Sequence, residues 1–155
     1  MKVFLAFPFS NIISGDSKIV DQQYQLFLSK IRNHIINEGF EVFLAHYREK
    51  WGKALMTAQE CTPLDLMEMQ DSDLVIAFPG SPISGGVHIE LGWASALKKK
   101  VVLFLKRDEQ YSPLILGMDT VTDAKIVYYD DIFTVQEKIY EEIARFKEQE
   151  ALTVG

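Results

Sequence analysis

The sequence predicts an α/β protein in which one five-stranded parallel sheet carries helices on both faces. Apolar runs of strand length alternate with segments of helical period almost without a break. The run Asp73-Leu-Val-Ile-Ala-Phe-Pro79 has no polar alternation, as expected of a parallel strand buried on both sides. Strands that are separated by helices in this way pair in parallel through crossover connections.

Lys2 to Phe7 is the first strand. Gln22 to Asn37 carries apolar residues at helical spacing, Leu26, Phe27, Ile31, Ile35 and Ile36, and Glu38-Gly39 ends that helix. Glu41 to Ala45 is the second strand, followed by a polar and aromatic loop from His46 to Thr57. A helix from about Ala58 to Gln70 is interrupted or started afresh near Pro63. Asp73 to Phe78 is strand three, His88 to Leu97 a helix, and Lys100 to Leu105 strand four. Arg107 to Gly117 is a loop with one short helical turn, Lys125 to Tyr129 is strand five, and Ile132 to Glu150 is a closing amphipathic helix.

At 155 residues and 48% hydrophobic, the chain is long enough for one full core and too short for two. The expected domain spans residues 1–150, with a frayed end at 151–155. The 16 basic and 22 acidic residues give a net charge of −6, which offers no broad basic surface to a nucleic-acid polymer. A phosphorylated ligand would have to be held locally. The opening MKVFLAFPF reads as a core strand and not as a signal peptide, and no run approaches the roughly 18 apolar residues of a membrane span. Cys61 is the only cysteine, so neither an internal disulfide nor a cysteine-based zinc site is possible, in keeping with a cytoplasmic protein. No metal site is expected, because His46 has no acidic cluster near it in the sequence.

The residues suited to chemistry gather where strands one to three end at their carboxyl edge, which is where open α/β sheets bind ligands. Phe7-Pro8-Phe9-Ser10 follows strand one, His46-Tyr47-Arg48 follows strand two, and Pro79 to Glu90, including Gly80, follows strand three. The stretch SPISGGVHIELGWAS, Ser81 to Ser95, sets Glu90 just inside a helix behind a Gly-rich loop. Such a corner suits anions, and the helix dipole is expected to keep Glu90 ionised. Asp65 reaches the same rim if its helix starts near Thr62 or Pro63.

Over its whole length the chain resembles the nucleoside 2-deoxyribosyltransferase superfamily. The matching elements are Asp65, the strand Leu74 to Ala77, Ser84-Gly85-Gly86, and Glu90-Leu91-Gly92-Trp93-Ala94. Within it, the likeness is to the nucleotide N-glycosidases of nucleoside-antibiotic pathways, which cleave CMP or 5-hydroxymethyl-CMP into free base and ribose 5-phosphate. That likeness rests on Pro8-Phe9, Ala45-His46-Tyr47-Arg48-Glu49, Trp51-Gly52, Ala77-Phe78-Pro79-Gly80, His88-Ile89-Glu90 and Arg107-Asp108-Glu109-Gln110-Tyr111.

The resemblance implies a flavodoxin-like (Rossmann-like) fold and a cofactor-free enzyme that hydrolyses the N-glycosidic bond of a pyrimidine nucleoside 5′-monophosphate. Glu90 would stabilise or capture the ribosyl cation, and Asp65 would orient the sugar or assist proton transfer. Ser84, Gly85 and Gly86 would cradle the 5′-phosphate; an aspartate, usual there in enzymes acting on unphosphorylated nucleosides, would repel it. Phe9, Ser10, His46, Arg48 and Gly80 complete the expected substrate-binding set, although His46 and Arg48 equally suit a loop hydrogen-bond network. Some relatives that favour the hydroxymethyl base carry arginine where this chain has Ser10, which favours CMP. Ser112 resembles a serine that reaches the phosphate of a neighbouring subunit, so a homodimer or larger assembly is implied; as a cap before Pro113 it has a second use. The alternatives are deoxyribose transfer between bases, cleavage of deoxyribonucleotides, and a non-catalytic nucleotide-binding module.

Overall fold

The strands β1 (Lys2–Ala6), β2 (Glu41–Leu44), β3 (Leu74–Ala77), β4 (Lys100–Lys106) and β5 (Ala124–Tyr129) pair in parallel, in the order β2-β1-β3-β4-β5. This is the flavodoxin-like arrangement, and it is seen in a computed structural model that describes residues 1–9, 21–80 and 83–153. The helices are α1 (Gln22–Asn37), α2 (Ala45–Arg48), α3 (Ala58–Asp71), α4 (Gly85–Ala96), α5 (Pro113–Leu116) and α6 (Gln136–Thr153). No helix among the described residues is long and apolar enough to cross a membrane.

The alternation of side chains along each strand divides the core in two. Val3, Leu5, Leu74, Ile76, Val102 and Phe104 face α1 and α6, whereas Phe4, Ala6, Val75, Ala77, Leu103 and Leu105 face α3, α4 and α5. Both faces of β3 are therefore covered, and its four residues are each at most 2% exposed. On the α1/α6 side, Phe78 is stacked between two rings, with centroids 4.4 Å from Phe7 and 4.8 Å from Phe104. That stack ties the ends of β1, β3 and β4 together just beneath the rim of the sheet.

Local chemistry explains where the helices begin. The Asp21 carboxylate accepts from Gln23 N–H at 3.0 Å and Tyr24 N–H at 3.1 Å at the start of α1. At the start of α3, Glu60 takes the Thr57 N–H at 2.8 Å and its hydroxyl at 2.9 Å. Contrary to expectation, α3 runs unbroken through Pro63. Gln59, whose carbonyl the proline leaves without an N–H, is exposed, so water can serve it. The last helix also extends past Glu150 to Thr153, since Ala151 and Leu152 contain no helix breaker. Lys98 sits at φ +56°, a left-handed position after α4 where glycine is usual. Its ammonium donates to the Val121 carbonyl at 2.7 Å, and that of Lys99 donates to the Gln70 carbonyl at 2.6 Å.

The Phe78 stack yields a stability prediction. Phe78→Ala removes a fully buried ring and should cost about 3–5 kcal/mol in urea unfolding. A loss below about 1 kcal/mol would mean that the stack is not what closes the upper core.

Candidate active site

The strands β1 and β3 lie side by side, yet the chain leaves them in opposite directions across the sheet, so a crevice opens at their carboxyl ends. Phe78 N–H still bonds the Ala6 carbonyl at 2.9 Å, and beyond it the two chains part. After Pro79, Gly80 turns the backbone at φ +83°, and Ser84 N–H returns to the Pro79 carbonyl at 2.9 Å. Residues 81 and 82, and with them part of the expected loop, lie outside the described residues; so does Ser10.

The helix begins three residues earlier than the sequence reading placed it. Ser84 is its N-cap, with Oγ accepting from Val87 N–H at 3.4 Å, and Gly85 and Gly86 form its first turn instead of a loop. Glycine's poor helix propensity hides this start, and the serine cap supplies it. The first N–H groups of a helix have no intrahelical partner. A Cβ added at either glycine would meet nothing within 4 Å, so the space before these groups is open. His88 steadies the turn: its Nδ1–H donates to the Ser84 carbonyl at 2.7 Å.

Beside this helix start is a cavity of about 330 Å³ whose wall includes Ser84, Gly86, Glu90, Asp65, His46 and Phe9. Glu90 is on the second turn of α4, and Asp65 reaches it from the neighbouring α3. Asp65 thus faces the rim as expected, but from inside a continuous helix and not from its first turn. The structure brings a third carboxylate to the same cavity, Glu49, which is 7% exposed. The sequence reading gave Glu49 no role. The available signal was an acid directly after Arg48 at the carboxyl end of a strand.

Arg48 does not line this cavity; it lies behind the carboxylates and joins them. Its Nη1 donates to Asp65 at 2.5 Å and its Nη2 to Glu49 at 3.1 Å. The other Glu49 oxygen accepts from Met56 N–H at 3.4 Å. Burial by itself would lower the Arg48 pKa, but its two carboxylate partners raise it, so the guanidinium remains charged. Burial raises Asp65, and Arg48 opposes that rise.

Glu90 behaves differently from expectation. It is half-buried at the cavity wall, and desolvation of its carboxyl, reinforced by the nearby Asp65 charge, pushes its pKa up to about 8. The helix dipole does not rescue it, because that effect fades beyond the first turn and Glu90 is the sixth residue of α4. Near neutral pH, Glu90 is therefore mainly protonated.

His46 is buried, and its Nε2–H donates to the Pro8 carbonyl at 3.1 Å. Burial pushes its pKa down to about 4, so the ring is neutral. It stacks obliquely under Phe9, with centroids 4.5 Å apart, and holds that ring at the cavity mouth. Ser112 lies elsewhere. It caps α5 by accepting from Leu114 N–H at 3.3 Å, and it borders a second cavity of about 320 Å³ on another side of α4, with His88, Gly92 and Ser95. Cys61 lines the Glu90 cavity and donates through Sγ to the Ala58 carbonyl at 3.8 Å. Among the described residues, no group of histidine, cysteine and acidic side chains is placed to hold a metal ion.

The raised pKa has a consequence for stability. Folding keeps a proton on Glu90 that the unfolded chain releases above about 4.5, so stability falls as pH rises from there toward about 8. The slope is at most about 1.4 kcal/mol per pH unit. Glu90→Gln removes this penalty, and its melting temperature relative to wild type should climb steadily from pH 5 to pH 8. An unchanging difference would show that Glu90 is ionised in the folded protein.

No family model matches the sequence, and no curated protein does. Among solved structures, that of BlsM is 40% identical, with a TM-score of 0.76 over 93% of this chain and 90% of that one. The CMP N-glycosidase BcmB of Clostridium botulinum is 29% identical, with a TM-score of 0.66 over 93% of this chain and 99% of that one. A conserved protein from Enterococcus faecalis V583, 18% identical with a TM-score of 0.56, shares the fold. The Asp65, Ser84-Gly85-Gly86 and Glu90-Leu91-Gly92 elements meet around one crevice of this shared architecture, and the identity to BlsM extends over nearly the whole of both chains. The chain belongs to the nucleoside 2-deoxyribosyltransferase superfamily, with the nucleotide N-glycosidases of that superfamily among its relatives.

Proposed function

We propose that this protein hydrolyses the N-glycosidic bond of a pyrimidine nucleoside 5′-monophosphate, CMP in preference to 5-hydroxymethyl-CMP, to free base and ribose 5-phosphate. The observation that carries this reading is that one helix bears both an anion corner and a half-buried acid at the cavity wall. Gly86, at the α4 start, and Glu90 are four residues apart, which is about 6 Å along the axis at 1.5 Å per residue. That span suits a ribose 5-phosphate, with its phosphate on the free N–H groups and the Ser84 hydroxyl and its anomeric carbon at Glu90. The likeness to the CMP N-glycosidase BcmB supports the same reading.

The chemistry follows from the two carboxyl groups. As the C1′–N1 bond breaks, its electron pair leaves with the base and positive charge grows on the ribose. Glu90 gives up its proton as that cation forms beside it, then stabilises or bonds C1′. Glu90, whose carboxyl is pushed toward its protonated form, is the source from which the departing base is protonated, with Asp65 beside it. Water then supplies hydroxide to C1′ and returns the proton, so the net change is hydrolysis. Asp65, held by Arg48, is placed to orient the sugar hydroxyls. No cofactor enters these steps.

Phosphate recognition gives the most direct test. Purified protein should release free base from CMP with a kcat/KM at least about 100-fold above that for cytidine, because remote binding energy positions the sugar. Ser84→Asp should remove most of that advantage, and Glu90→Ala should fold normally and abolish release from both. Equal use of cytidine and CMP, or turnover by folded Glu90→Ala, would refute the assignment.

We further propose that the working unit is at least a homodimer in which Ser112 reaches the phosphate of the adjacent subunit. Two features support this: Ser112 is outside its own chain's Glu90 cavity, and it sits beside apolar surface, with Leu114 84% exposed and Val121 52% exposed. Mixing Glu90→Ala with Ser112→Ala subunits should regenerate a fraction of intact sites and raise activity above either parent. A monomer by light scattering at full activity, or no gain after proven exchange, would leave Ser112 as a helix cap only.

A further inference from the structure

Glu49 is a buried carboxylate at the wall of the Glu90 cavity, and the hydrolytic steps above make no use of it. We propose that Glu49 selects the base: its carboxylate accepts a hydrogen bond from the exocyclic amino group of a 4-aminopyrimidine nucleotide and so rejects uracil nucleotides. This rests on the reading of the cavity given above.

The placement comes from Arg48. With phosphate at Ser84 and Gly86 and the sugar at Glu90 and Asp65, the base must occupy the remaining end of the cavity. Arg48 binds Asp65 with one terminal nitrogen and Glu49 with the other, so Glu49 lies one guanidinium width beyond the acid assigned to the sugar. The cavity also has walls that suit a flat heterocycle: the Phe9 ring, backed by His46, together with Leu55 and Met56.

The two oxygens of Glu49 are engaged unequally. Arg48 holds one oxygen at 3.1 Å, and the other is engaged only by a long 3.4 Å bond from Met56 N–H. A carboxylate has about four acceptor positions and, when ionised, no donor. Cytosine presents an amino donor at C4, where uracil presents a carbonyl acceptor. The first would satisfy Glu49, whereas the second would set oxygen against the carboxylate oxygen. The other polar groups at that end offer no comparable acceptor. His46 uses its Nε2–H on Pro8 and buries Nδ1, and Cys61 presents only a thiol.

Binding and turnover together separate this inference from the reading it rests on. Calorimetry on the Glu90→Gln protein should show CMP binding at least about 100-fold more tightly than UMP, the size expected when a hydrogen-bonding partner is exchanged for its opposite. In Glu90→Gln/Glu49→Gln the gap should shrink to within about tenfold, because the amide can turn its donor toward uracil. A role for Glu49 in structure alone would weaken both nucleotides equally and leave the ratio unchanged, and that result would overturn the proposal. If the double variant does not fold, N4,N4-dimethyl-CMP decides on Glu90→Gln alone: lacking an amino N–H, it should bind as poorly as UMP, and binding equal to that of CMP would refute the role. Should wild type release base from no nucleotide while the CMP preference persists, hydrolysis falls and base selection stands.

Discussion

The guanidinium of Arg48 serves two carboxylates from different elements, Asp65 in the middle of α3 and Glu49 at the end of α2, and the chemistry of the cavity depends on that sharing. Three acids line one cavity, and among the described residues one cation joins two of them. Burial raises the Asp65 pKa and Arg48 only opposes that rise, while the Asp65 charge acts on Glu90. Glu90 responds by taking up a proton, with its pKa pushed up to about 8. A carboxyl group pushed toward its protonated form beside a second carboxyl is what acid–base chemistry on a glycosidic bond requires.

The fold supplies the remaining constraint. The crevice between β1 and β3 exists because the chain order reverses there, and α4 rises from that crevice with its first N–H groups facing the space. A single rigid helix therefore fixes the separation between an anion corner and an acid. Its position is set by burial of Val87, Leu91 and Ala94 against the same sheet face that packs Met69 of α3. The two acids converge because two helices share one core, although neither acid contributes to that core.

Much of this was legible in the sequence because it depends on local pattern. The alternation of apolar runs and helical periods gave the five strands and the parallel sheet, and the Glu90 and Asp65 motifs meet at one cavity. What was misread depended on contacts between elements. The start of α4 at Gly85 contradicted glycine's propensity and needed the Ser84 cap to be seen. The protonation of Glu90 followed from burial next to Asp65, which no spacing along the chain reveals. Arg48, for which the sequence left ligand binding and a loop hydrogen-bond network open, bonds Asp65 and Glu49, and Glu49 became visible only through that network.

The most direct measurement is a crystal structure of the Glu90→Gln protein with CMP. The proposed reaction requires the phosphate on the N–H groups of Gly85 and Gly86 with the Ser84 hydroxyl, and C1′ within about 3.5 Å of the residue 90 carboxamide, the separation of a reactive pose. A nucleotide bound with its phosphate away from the start of α4, or one that leaves C1′ out of reach of residue 90, would contradict it.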